Sequence, residues 1–352
     1  MKHFFFGYDR EHPAACARDL KARGIDAVVG GSFSEEAARA FRETGIDFYL
    51  CYGAHSLKAG ESQGRLALNS QGEEKRWFGS GCPNDTCSNR EKIQRVLEEA
   101  EKITGLKGIF VDGARFASFA SAEGPDAFFT CFCPACMEKM QELGMDGEKI
   151  RAAVDRLHQE KSFPEEEITY LAQWFSFREM CVKEYMEAFS KSVHERNPRW
   201  QAGAFVFAPS LGYFVGQTPA ACASLDLLSP MLYRSYPHAH GPACLNHEWA
   251  GFYGLLGRNA SILRGLSPVH LHAEKEREAA QCILEQGFEP DDVALETRSA
   301  VKHASAGQFI APIIQSEDDC LEETAQKTLA AGAQGVGYFA YGRGMLPPLL
   351  KK

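Results

Sequence analysis

The chain has 352 residues, 45 % of them hydrophobic and 24 % charged, which excludes a disordered or collagen-like polymer. Lys and Arg total 38 against 47 Asp and Glu, a net charge of −9, and so acidic a chain argues against nucleic acid or an anionic membrane as partner. Apolar runs are strand-sized, far short of the ~20 residues of a membrane helix, and the start has no export signal, so a cytoplasmic location is expected.

The first strand is expected over 2–8. Pro13 opens a helix that Gly24 ends, and a strand follows at 26–30. Ser34 caps a helix to Thr44, Gly45 stops it, and a strand follows at 47–53. Gly24-Ile25-Asp26 and Gly45-Ile46-Asp47 hold equivalent places in this repeat. Ser88 begins a third helix, with Ile93, Val96, Leu97, Ala100 and Ile103 on one face. Gly105 ends it, and a strand follows at 108–113. After a long excursion, 169–196 reads as one helix, with Leu171, Trp174, Cys181, Tyr185, Phe189 and Val193 at helical spacing. Asn197-Pro198 stops it. Further strands are expected at 202–207, 225–233, 308–314 and 335–342, with helices at 290–304 and 317–331.

Short strands that are apolar on both faces and separated mostly by helices describe a parallel sheet buried on both sides. Eight such units close naturally into a (β/α)8 TIM barrel; an open doubly wound sheet is the alternative. No Gly-x-Gly-x-x-Gly follows the first strand, which weakens a dinucleotide reading. Without a Gly/Ser-rich linker, residues 1–352 read as a single barrel domain with long insertions after strands 3, 4 and 6.

Twelve cysteines are present. Without an export signal a disulfide framework is not expected. Cys16, Cys51, Cys181, Cys222, Cys244, Cys282 and Cys320 are scattered and read as buried thiols. The other five cluster. Cys131-Phe132-Cys133-Pro134-Ala135-Cys136 offers three thiols, and Cys133-x-x-Cys136 is a common knuckle spacing for tetrahedral Zn²⁺. Cys82 or Cys87, in the loop after strand 3, can supply a fourth. The competing readings are a redox dithiol and unliganded thiols, but thiols so crowded without a metal invite oxidation.

From Gly81-Cys82-Pro83-Asn84-Asp85, through a helix and a strand ending in an acid, to the loop 129–140, the chain resembles the zinc-binding region of glycoside hydrolase family 42 β-galactosidases. The resemblance covers residues 76–145, with a weaker echo around Trp174 and Arg178 in the long helix. It implies a structural Zn²⁺ on Cys82, Cys131, Cys133 and Cys136 and leaves Cys87 spare. One departure is informative. Those enzymes end the fourth strand in Asn-Glu, with Glu as general acid/base. Here the strand ends Val111-Asp112-Gly113-Ala114-Arg115-Phe116. That ending, with Ser229-Pro230-Met231-Leu232-Tyr233, looks more like a broad set of uncharacterised glycosidase-like barrels. What carries over is the barrel, the zinc and a carbohydrate substrate, not the family 42 activity.

Barrel enzymes place working residues at the C-terminal ends of strands. Those ends offer Tyr8, Asp9 and Arg10; Tyr52 and His55; Asp112 and Arg115; Tyr233, Arg234 and Tyr236; Gln315, Glu317 and Asp318; Tyr341 and Arg343. Glycoside hydrolysis needs two carboxyls, one protonated and one ionised. Asp112 follows an apolar strand and is the first candidate, with Arg115 as its expected partner. Glu317 is the second, although Ser316-Glu317-Asp318-Asp319 also reads as a helix cap with an acidic first turn. Tyr8, Asp9, Arg115, Tyr233, Arg234 and Tyr341 are the expected sugar contacts. His238 with His240, and His270 with His272, lack an acidic ligand at a recognised offset and read as solvated loop histidines.

The leading expectation is a glycoside hydrolase with a structural four-cysteine zinc site. A zinc-thiolate hydrolase would need an open fourth position on the metal. A non-catalytic carbohydrate-binding barrel would lack the second carboxylate. Self-association into a homo-oligomer fits such a barrel.

Overall fold

The protein is seen in a computed structural model that describes residues 2–57, 66–76, 80–120, 125–235 and 243–341. Its main sheet is wholly parallel. Strands β1 (His3–Phe6), β2 (Ala27–Gly30), β3 (Asp47–Gly53), β4 (Gly108–Asp112), β5 (Gln201–Val206) and β6 (Leu227–Pro230) pair in that order. β7 comes in two pieces, Phe309–Ile310 and Ile313–Gln315, parted by Ala311-Pro312. β8 (Val336–Phe339) pairs with β1.

The first piece of β7 pairs with β6 and the second with β8, so both ends of the sheet meet on one segment. Ala311 N donates to Leu228 O at 2.9 Å, and Leu232 N to Ile313 O at 2.9 Å, which carries the seam past the proline. A closed parallel barrel of this kind accounts for the apolar strands, since both faces of each are covered.

The barrel interior is filled by phenylalanines set against glycines. Phe4 on β1 is in register with Gly337 on β8, and Phe110 on β4 with Gly203 on β5. A Cβ on Gly337 would come within 2.1 Å of the Phe4 ring, and one on Gly203 within 2.8 Å of the Phe110 ring. The missing side chains make room for a layer in which Phe110 and Phe205 lie 5.1 Å apart and Phe4 reaches both. Such pairing of large with small residues is how a barrel core reaches close packing.

Helices cover the outside. The first three are α1 (Pro13–Ala22), α2 (Glu35–Thr44) and α3 (Thr86–Glu101). α4 (Pro134–Glu142), α5 (Gly147–Glu160) and the 29-residue α6 (Ile168–Arg196) follow, then α7 (Leu245–Leu256), α8 (Pro290–His303) and α9 (Leu321–Ala330). Ser34 caps α2 by accepting from Ala37 N, and Gly45 ends it in a left-handed conformation. No helix among the described residues is long and apolar enough to cross a membrane.

Two helix starts differ from expectation. α3 begins at Thr86, two residues before the expected Ser88, because the Asp85 carboxylate caps it by accepting from Ser88 N. α9 begins at Leu321, not 317. Ser316 donates its hydroxyl to Phe339 O, and Asp318 turns inward to Arg234, so neither serves as the expected N-cap. Among the described residues, long intervals separate β3 from α3, β4 from α6 and β6 from α8.

Candidate metal centre and barrel mouth

Cys82 comes from the segment after β3; Cys131, Cys133 and Cys136 come from the segment after β4. Because β3 and β4 are neighbours, the two segments meet. The Sγ of Cys82 lies 3.5 Å from each of the Sγ atoms of Cys131, Cys133 and Cys136. All four thiols are buried and lie within 4.8 Å of one another. Four sulfurs about 2.3 Å from a tetrahedral ion would be about 3.8 Å apart, so the set can hold one metal ion. Cys87 is exposed on α3 with its thiol toward Glu91, outside the cluster.

Local structure holds this corner. Cys133 is the N-cap of α4 and Pro134 its first residue, so Cys133 and Cys136 face the helix start, where negative charge is favoured. Phe132 N donates to Leu68 O at 2.8 Å, binding the loop to a two-stranded hairpin, Ala67–Leu68 with Glu74–Lys75. Asn84 N points at Cys82 Sγ from 3.4 Å.

Arg178 on α6 donates to the carbonyls of Phe128 and Thr130 just before the loop, and to Phe214 O at 2.7 Å. Its guanidinium stacks 3.8 Å from the Trp174 ring. This cation is fully buried and forms no ion pair with a carboxylate among the described residues. Burial pulls its pKa well down, and the charges that oppose this are Cys131 and Cys136.

Without a cation the four thiols share hydrogen bonds, Cys131 foremost. Those bonds push Cys82 and Cys136 well up and pull Cys133 far down. A divalent ion would let all four ionise. The buried Arg178 would then face the negative charge it lacks, and on that ground the residues fit a metal.

Beside this corner, His55 is buried after β3. Asn89 donates to Pro83 O and accepts at Oδ1 from His55 Nδ1 at 3.0 Å, tying the histidine to the Cys82 turn. Burial holds the His55 imidazole down at about 4, and the bond to Asn89 only partly offsets it.

At the mouth, Asp112 ends β4 next to Gly53 of β3. Burial lifts its carboxyl above the usual range; the Arg115 charge and the Gly113 N–H pull the other way. The expected ion pair with Arg115 is absent among the described residues. Arg115 instead donates to Phe116 O at 2.9 Å and lies over the Phe207 ring. Its strongest charged neighbour is Glu248, ahead of Asp112.

Glu248 on α7 was not singled out in the sequence. Its buried carboxylate accepts from Ser118 Oγ at 2.8 Å and Ala120 N at 3.1 Å, joining the segments after β4 and β6. The available signal was an acid beside Leu245, Trp249 and Phe252 in a largely apolar helix.

The other candidates divide into bonded and open groups. Tyr8 donates to Ser32 O at 2.9 Å and stacks on Phe33. Asp9 accepts from Glu11 N and His12 N at the approach to α1. Tyr233 is buried against Phe339. Arg234 grips buried Asp318 with Nε and Nη2. Tyr341 is half-buried, edge-on to Phe5. Glu317 is exposed directly after β7. Tyr236, His238, His240 and Arg343 lie outside the described residues.

His270 is exposed as expected, but His272 is not a solvated loop histidine. It is buried, with Nε2 donating to Glu296 Oε1 at 2.9 Å and Nδ1 3.4 Å from Asp292 Oδ1. Burial pulls its pKa down, but Asp292 and Glu296 outweigh this and lift it to about 9.

No family model matches the sequence, and no curated protein matches it. Solved structures do. A β-galactosidase from the Antarctic haloarchaeon Halorubrum lacusprofundi superposes with a TM-score of 0.60 at 15 % identity, over 97 % of this chain and 52 % of that one. A GH42 β-galactosidase from G. stearothermophilus gives 0.51 at 12 %, over 98 % and 52 %. The catalytic domain of a β-amylase from Paenibacillus polymyxa gives 0.58 at 10 %, over 96 % and 92 %. The chain thus spans about half the length of these β-galactosidases and nearly all of the β-amylase domain. What this chain has in common with them is a glycoside-hydrolase-like barrel fold.

Proposed function

We propose that the chain is a glycoside hydrolase that cleaves an O-glycosyl bond with a carboxyl pair at the C-terminal mouth of the barrel. The observation that carries this is Asp112. It ends β4 at the mouth, no hydrogen-bond or ion-pair partner reaches its carboxyl from the described side chains, and burial lifts its pKa. An acid kept protonated beyond its usual range can give a proton to a leaving glycosidic oxygen. Glu317, exposed after β7, is the second carboxylate, acting as nucleophile or base. Arg115 and Tyr341 orient the sugar. Tyr8, Asp9, Tyr233 and Arg234, bonded as described, shape the rim.

Cys82, Cys131, Cys133 and Cys136 would hold a zinc ion, which cross-links the segments after β3 and β4. With Cys82 in the set, all four positions are thiolates and none is open, which favours a structural ion over a catalytic one. The fold neighbours are named as β-galactosidases and a β-amylase, and a carbohydrate substrate is the reading they support here. Free buried thiols fit a reducing compartment such as the cytoplasm.

The test is Asp112→Asn assayed on a panel of aryl glycosides. Turnover should fall by about 10²–10⁴-fold with the unfolding temperature unchanged. Near-normal turnover removes Asp112 from the chemistry. Sugar binding with no hydrolysis by the unmutated chain replaces the enzyme with a binding barrel.

A further inference from the structure

We propose a second divalent-cation site, of the zinc type, formed by Nδ1 of His272 and the carboxylates of Glu274 and Asp292. It is separate from the four thiols, lies beyond β6 and does not depend on the glycosidase reading.

Three observations carry it. First, the ligand atoms converge. Nδ1 of His272 is 3.4 Å from Asp292 Oδ1 and 3.8 Å from Glu274 Oε1, and all three atoms lie within 4.8 Å of one another. Nitrogen and oxygen ligands about 2.0–2.2 Å from a tetrahedral zinc are about 3.4 Å apart, so the ion fits with little movement.

Second, the imidazole faces the site, where an ion would take the place of the proton on Nδ1 and release it to solvent. His272 is 2 % exposed, and its Nδ1 is a buried polar atom that makes no hydrogen bond, although two carboxylates approach it. The other ring nitrogen is committed. Nε2 donates to Glu296 Oε1 at 2.9 Å, and Glu296 is itself fixed by the backbone N–H and hydroxyl of Ser210. A carboxylate on the far nitrogen of a ligating histidine is the common second partner of a metal site; it sets the ring orientation and strengthens the ligand.

Third, the ring is held in place. His272 has φ of 58°, an uncommon left-handed conformation for a non-glycine residue, at the start of the turn 273–277. Edge contacts from Trp249 and Phe288 hold the ring in place.

Asp292 is the third residue of α8, where its other oxygen accepts from Glu289 N at 2.8 Å. It thus has one oxygen for the helix cap and one for the ion. Glu274 is exposed, which gives the ion an entry path and leaves a fourth position for water. Binding there would join the turn at 273–277 to the start of α8.

The experiment is zinc content per chain after zinc loading and gel filtration, for the full chain and for Glu274→Gln. Glu274 is at the surface, so this variant keeps the fold. The expected result is one zinc fewer per chain in Glu274→Gln, whatever the four thiols hold. Zinc titration should show the lost site to be at least roughly tenfold weaker. Glu285→Gln, the same charge change at another exposed acid, should keep the full count. Equal zinc in Glu274→Gln and the unmutated chain overturns the site and leaves His272 a buried imidazolium between carboxylates. A full thiol complement of zinc with no further ion has the same consequence.

Discussion

The thiol corner and the His272 cluster are both buried polar assemblies outside the barrel, yet they are built in different ways. At the thiol corner three of four groups come from six consecutive residues, and the fourth from the neighbouring strand's loop. Around His272 the groups come from Ser210, the 3-10 turn after His272, and α8, up to 86 residues apart in the chain. The first assembly is specified by local spacing, the second by topology. Local spacing survives any error in the global fold, while topological convergence exists only once the barrel has closed.

This contrast sets the order of expected effects. Cys136→Ser, or chelation of the ion proposed there, removes a ligand from a closed set and leaves buried thiols and Arg178 without a counter-charge. Denaturant unfolding should show a loss of about 5 kcal/mol. A loss under 1 kcal/mol would mean that the thiols carry no ion.

Glu296→Gln breaks the topological assembly instead. It leaves His272 without its buried carboxylate, and about 3 kcal/mol should be lost. Protection of Cys82, Cys131, Cys133 and Cys136 from alkylation should stay intact. Concurrent exposure of those thiols would mean the two regions are coupled, and the contrast would fail.

Acid should act on the thiol side through His55. Its pKa in the folded state is about 4, against 6.5 for an unperturbed histidine, so the unfolded chain takes up the proton first. Stability is therefore full above pH 6.5 and falls as the pH drops through 6.5 toward 4, by about 3 kcal/mol. His55→Gln should flatten that limb in unfolding curves collected between pH 7 and 4.5; an unchanged slope would assign the acid loss elsewhere. The smallest effect belongs to Cys87→Ser. The exposed thiol lies outside the cluster, and stability should change by less than about 0.5 kcal/mol with metal content constant.

Much of the fold was legible because barrel strands are short apolar runs between helix stops. Gly24, Gly45 and Gly105 all take positive φ where the helices were expected to end. The thiol set was legible from spacing and resemblance together, and the spacing alone left Cys82 and Cys87 equal. Partners of charged groups were not legible. Asp112 and Arg115 are three residues apart where β4 ends, and nothing in that interval says that the guanidinium turns to Phe116 O and Phe207. Asp318 reads as a cap residue until Arg234, 84 positions earlier, is brought to it by the adjacency of β6 and β7. His272 reads as a loop residue for the same reason: its burial is made by α7 and α8, which meet it only in three dimensions.

The pairing of β1 with β8 has a consequence for synthesis. The ribosome makes His3–Phe6 long before its neighbour Val336–Phe339. At roughly 5–20 residues per second, β1 waits about 20 s to a minute for the strand that covers its outer edge. Throughout that interval a run of three phenylalanines offers unpaired backbone to any passing chain, the usual starting point for aggregation. Production of this protein should therefore be limited less by the stability of the finished barrel than by what shields β1 until β8 is made.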